Sequence, residues 1–77
     1  MELYVLTRSG TNMVPTLKKT GRQLEADMLE YLRMTDGATV EQVADAMNID
    51  QKTAYDKLRS LSANRWAWRK TTKLVQF

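Results

Sequence analysis

The sequence predicts a mainly α-helical domain with a small β-sheet, and three observations lead there. Apolar residues recur at helical spacing in separate runs between residues 22 and 63, each run preceded by a residue suited to cap a helix. The final stretch RWAWRKTTKLVQF alternates with the two-residue period of strands. The chain has 77 residues, so it forms one domain near the lower size limit for a self-sufficient core, and most apolar side chains must serve packing.

Taken in order, ELYVL (2–6) is rich in strand formers and too short for a helix, so it reads as a strand. Residues 7–21, with the only proline and two of the three glycines, read as a loop. Thr20 and Gln23 have the spacing of a capping box, and Leu24, Met28, Tyr31 and Leu32 follow on one face of a helix over about residues 22–34. Asp36 and Gly37 end it. Thr39 and Gln42 form a second capping box ahead of Val40, Val43, Ala44 and Met47, a two-turn helix with one apolar stripe. The pattern then stalls at MNID: Asn48 tolerates left-handed backbone, Ile49 supplies an apolar plug, and Asp50 is a good N-cap. A further helix, 51–63, buries Ala54, Leu58 and Leu61 and turns Gln51, Lys52, Thr53, Tyr55, Asp56 and Arg59 outward. The C-terminal segment folds as a hairpin centred between Thr71 and Thr72, with Trp66, Trp68, Val75 and Phe77 on one face covering the helices. The methionines beyond Met1 read as core filling.

Composition removes several functions. With no cysteine and no histidine there are no disulfides, thiolate nucleophiles, imidazole bases or usual zinc ligands. Glycine-rich phosphate loops and nucleophile–base pairs are also missing, and Glu25, Asp27 and Glu30 read as solvated on the outer side of their helix, so neither catalysis nor a cofactor is expected. The longest apolar run, Leu3–Leu6, is far too short for a membrane span or signal sequence, which makes a cytoplasmic protein the expectation. The net charge of +3 is unevenly spread: residues 1–23 carry +3, residues 24–50 carry −6 and residues 51–77 carry +6. A basic final third is the electrostatic footprint of a polyanion binder, although opposed solvated faces would give the same pattern.

A short helix, a turn of three to four residues and a longer helix resemble the helix-turn-helix family. The likeness rests on small Ala44, Asn48 four residues on where the family prefers glycine, apolar Ile49, then Ala54 and Leu58. With a hairpin after the last helix, residues 22–77 resemble a winged helix-turn-helix domain of three helices and a C-terminal β-hairpin wing; residues 1–21 lie outside it apart from an extra N-terminal strand.

That resemblance implies double-stranded DNA binding, with helix 51–63 in the major groove and the 65–77 wing on the backbone. Gln51, Lys52, Thr53, Tyr55 and Arg59 are then the candidates for base contacts, and Arg65, Arg69, Lys70 and Lys73 for phosphate contacts. Plainer readings stand beside these. Lys52 and Asp56 are spaced to pair on a solvated face, Tyr55 could bury its ring at the helix edge, and the hairpin lysines could guard a strand edge. Lys18, Lys19 and Arg22 are either a phosphate-binding arm or a solvated loop. The family likeness and small size imply a transcriptional or replication regulator of the phage, plasmid or prokaryotic type. Such a protein is expected to be a monomer that dimerises, if at all, on DNA. The alternative function is a winged-helix protein-interaction module, docking a basic partner through the acidic helices of residues 22–47.

Overall fold

Residues 2–71 are described by the computed structural model. In chain order they form β1 (Glu2–Leu6), α1 (Arg8–Lys19), α2 (Gln23–Thr35), α3 (Val40–Met47), α4 (Gln51–Ala63) and β2 (Ala67–Thr71). The mainly helical class with a small antiparallel sheet agrees with the sequence, and the boundaries of α3 and α4 fall where the caps place them. Thr39 and Gln42 exchange both capping-box hydrogen bonds, Asn48 is left-handed at φ 58°, and Asp50 accepts from the Thr53 N–H to start α4. Ala54, Leu58 and Leu61 are buried as expected.

The largest correction concerns residues 7–21, which are not a loop: most of the segment is α1. Gly10 and Pro15 read as loop signals, but each has a place in this helix. Pro15 sits on the exposed side. Gly10 is buried, and a Cβ there would overlap the Trp66 carbonyl oxygen and come within 2.8 Å of Leu6 Cδ1. The glycine therefore permits close approach between the start of α1 and the start of β2. Val14 and Leu17, four and seven residues further on, carry the same buried stripe toward α2.

The Thr20–Gln23 capping box does not form. Thr20 instead donates its hydroxyl back to the Thr16 and Leu17 carbonyls at the end of α1, and Arg22 precedes α2 without a side-chain cap. Asp36, not glycine, takes the left-handed position closing α2, at φ 56°, with Gly37 following at φ 112°. Glu25 is also corrected: it is buried at 7% exposure rather than solvated. Met28 is core as expected, whereas Met34 is 78% exposed.

The described partner of β2 is β1. The two run antiparallel with Leu6 opposite Ala67, Val5 opposite Trp68, Tyr4 opposite Arg69 and Leu3 opposite Lys70. Across its other edge β1 meets Ala38, with reciprocal Tyr4–Ala38 backbone hydrogen bonds of 2.8 and 3.0 Å. The N-terminal strand thus occupies the middle of the ladder. Ala67 and Tyr4 point to the core at 2% exposure each, which turns Trp68 to the other face, where it is 65% exposed. The expectation that Trp66 and Trp68 share a buried face is therefore wrong for Trp68; Trp66 precedes the strand, half-buried against the core. The second hairpin strand, with Lys73, Val75 and Phe77, lies outside the described residues.

The packing at Gly10 sets opposite effects against each other. Alanine gains about 1 kcal/mol over glycine in a helix interior, but relieving an overlap with backbone costs about 1–3 kcal/mol. Gly10→Ala should therefore lower the melting temperature followed by circular dichroism. An unchanged or raised value would show that α1 does not approach Trp66 this closely.

Candidate functional site

Four of the sequence candidates, Tyr55, Arg59, Arg65 and Arg69, meet beside α4. A groove of about 910 Å³ runs between α4 and the sheet, lined on the helix by Tyr55, Arg59 and Ser62 and on the sheet by Tyr4, Ala67 and Arg69. Positions 55, 59 and 62 share one helical face. Arg65 and Thr7 close one end, and Trp68 contributes to the rim. Among the described residues no acidic side chain lines the groove, and neither Arg59 nor Arg65 joins an ion pair. The fold thus brings three arginines, Arg59, Arg65 and Arg69, around two tyrosines.

Gln51 and Lys52 lie in the exposed first turn of α4, one to two turns ahead of the groove. Thr53 is half-buried, and its hydroxyl donates to Asp50 Oδ1 at 2.5 Å, so its role here is local capping. That hydrogen bond, with the Thr53 backbone N–H, holds the Asp50 carboxyl below its usual range. Tyr55 is 39% exposed, Lys70 is exposed on β2, and Lys52 and Asp56 form no ion pair among the described residues. Lys18 and Lys19 end α1 on its exposed side.

Two devices invisible to sequence periodicity set this geometry. The first joins the residue ahead of α1 to the turn between α4 and β2. Thr7 caps α1 by accepting from the Gly10 N–H at 2.9 Å, while its hydroxyl donates to the Arg65 carbonyl at 2.7 Å and its N–H to the Trp66 carbonyl at 3.3 Å. Arg65 is left-handed, φ 64°, uncommon for a side chain of its kind, and closes α4: its N–H donates to the Ser62 carbonyl and the Trp66 N–H to the Leu61 carbonyl, both at 3.0 Å.

The second fixes α4 against α2. Glu25 accepts from Lys57 Nζ at 2.9 Å and from Arg22 Nε at 2.6 Å, and the Arg22 guanidinium lies 5.7 Å from the Trp66 ring centroid. One buried carboxylate therefore links α2, α4 and the residue leading into β2. Burial pushes its carboxyl up, but the hydrogen bonds and charges of Lys57 and Arg22 outweigh burial and leave it below its ordinary 4.5. Glu25 reads as solvated in sequence because its partner Lys57 lies 32 residues away, and Arg22, read there as either a phosphate-binding arm or a solvated loop, pairs with the same carboxylate.

Comparison with models of known protein families, with characterised proteins and with solved structures found no match. No helix is long and apolar enough to cross a membrane among the described residues.

Because the folded-state pKa of Glu25 is depressed, its stabilisation is present above the unfolded value and is lost as pH falls through the folded one. Glu25→Gln should cost about 1–2 kcal/mol near neutral pH, a charged hydrogen-bond pair reduced by the partial exposure of both partners. The gap between wild type and variant should narrow as pH falls from about 5 to about 3. A constant gap in urea titrations across that range would separate Glu25 from the acid response. At Arg65, glycine relieves about 1 kcal/mol of left-handed strain, which its greater unfolded-state entropy largely offsets. Arg65→Gly should therefore melt near wild type, whereas Arg65→Val should melt lower. Equal melting of the two would argue against the left-handed conformation.

Proposed function

We propose that this protein binds double-stranded DNA, presenting the outer face of α4 to the major groove and the β2 side to the sugar–phosphate backbone. The observation that carries the reading is the continuity of one polar, cationic face from Gln51, Lys52 and Tyr55 through Arg59 to Arg65 and Arg69. Supporting it is the α3–α4 unit: Ala44 is nearly buried where the two helices meet, Asn48 reverses the chain, and Ile49 packs against the core. This is the turn chemistry of a helix-turn-helix, and β2 follows α4 where the first strand of a wing would lie. On this reading the protein is a winged helix-turn-helix regulator of transcription or replication, with α4 as recognition helix.

Two kinds of contact then divide the labour. Gln51 can pair bidentately with adenine, and Lys52 or Arg59 with guanine, which confers discrimination. Arg65, Arg69 and Lys70 neutralise phosphates and confer affinity without sequence information.

The test is a salt series with one preferred and one scrambled duplex. Arg69→Ala with Lys70→Ala should weaken binding to both duplexes alike and lower the slope of log K against log salt by up to about two units. Gln51→Ala should leave scrambled-duplex affinity and salt slope intact and cost about 1–3 kcal/mol on the preferred sequence. If wild type binds neither duplex at low salt, the DNA reading fails, and a basic protein partner on the acidic helices becomes the reading to pursue.

A further inference from the structure

Charge of both signs is left unneutralised on this chain, on two surfaces that share no residue. On one, Arg59 and Arg65 line the groove of about 910 Å³ between α4 and the sheet, and neither joins an ion pair among the described residues. On the other, α3 carries Glu41 and Asp45, both exposed and likewise in no ion pair among the described residues. Four positions apart, these carboxylates stand one turn from each other on the same helical face. Glu25 and Glu30, by contrast, find cationic partners within the fold.

The two surfaces complement each other in sign and in size. Positions 55 to 62 of α4 form the helical wall of the groove and span about 10 Å along the axis, while α3, with eight residues, is about 12 Å long. Beside the carboxylates α3 exposes Gln42 and Ala46, which add no charge, and Ala46 adds no bulk. Guanidinium groups pair with carboxylates through a planar fork of parallel hydrogen bonds, the geometry that suits arginine to such a contact. We propose that the groove docks the acidic face of α3 from a second copy of this chain, with Glu41 and Asp45 on Arg59 and Arg65. The contact is heterologous, because each copy offers one groove and one acidic face, so assembly continues past a dimer. It replaces the monomer that the family likeness implies and does not rest on the proposed function. Where both hold, duplex and a second copy compete for Arg59 and Arg65.

Sedimentation velocity on the full chain tests this without nucleic acid, so its failure leaves the proposed function untouched. A contact this small is weak, and wild type should show mass above the monomer from roughly 0.1 mM protein upward in about 20 mM salt. It should return to monomer in about 500 mM salt, where screening confines charges to a few ångströms. Glu41→Gln with Asp45→Asn and, separately, Arg59→Gln with Arg65→Gln should each lower the association constant about five- to thirty-fold. Both double variants should melt near wild type, since all four side chains are exposed. Mixing them restores one intact contact and should give a dimer of one copy of each that grows no further. Wild type that stays monomeric at low salt overturns the proposal; if it then binds a short poly-aspartate peptide that the double arginine variant does not, the groove belongs to an acidic segment of another protein. Association that either double variant retains at wild-type strength, or a mixture that stays monomeric, overturns it as well.

Discussion

The fold turns on the close approach of the start of α1 to the start of β2. Thr7 is the hinge pin of that contact. Its one hydroxyl caps the helix and reaches the Arg65 carbonyl, and its N–H reaches the next carbonyl along. Only a glycine at position 10 lets these backbones meet. Once they have met, β1 is aligned with β2 residue for residue, and Tyr4 enters the core between Ala38 and Arg69. The N-terminal segment is thereby an integral part of the domain, and one wall of the groove depends on it.

Electrostatics follow from the same arrangement. Several carboxylates of the acidic middle segment work within the fold: Glu25 ties α2 to α4, Glu30 pairs with Arg33 at 2.8 Å, and Asp50 caps α4. Glu41 and Asp45 remain exposed on α3. The arginines of the final third gather at a groove that no acidic residue lines among the described residues. A sequence with net charge +3 thus acquires a locally concentrated cationic groove.

What could be read from sequence was local. Caps at Thr39 and Asp50, the left-handed Asn48 and the stripe of Ala54, Leu58 and Leu61 all depend on neighbours within a few residues, so spacing alone located α3 and α4. The outward residues Gln51, Lys52, Tyr55 and Arg59 followed from the same periodicity. What escaped depended on distant partners. Gly10 and Pro15 signal a loop until the Trp66 carbonyl explains the glycine. Glu25 looks solvated until Lys57 arrives. The alternation of residues 65–77 showed strand character but not which strand pairs with it. A hairpin partner was the nearest choice, and pairing with β1 turns Trp68 outward. Arg59, Arg65 and Arg69 were each singled out, yet their convergence with Tyr4 required the sheet.

The most direct test of this account is the set of cross-strand nuclear Overhauser effects in the labelled protein. The strand pairing predicts contacts from Val5 to Trp68, from Tyr4 to Arg69 and from Tyr4 to Ala38, since these residues oppose one another across the ladder. Their absence, with Trp68 in contact with the helical core instead of Val5, would contradict the architecture and dissolve the groove built on it.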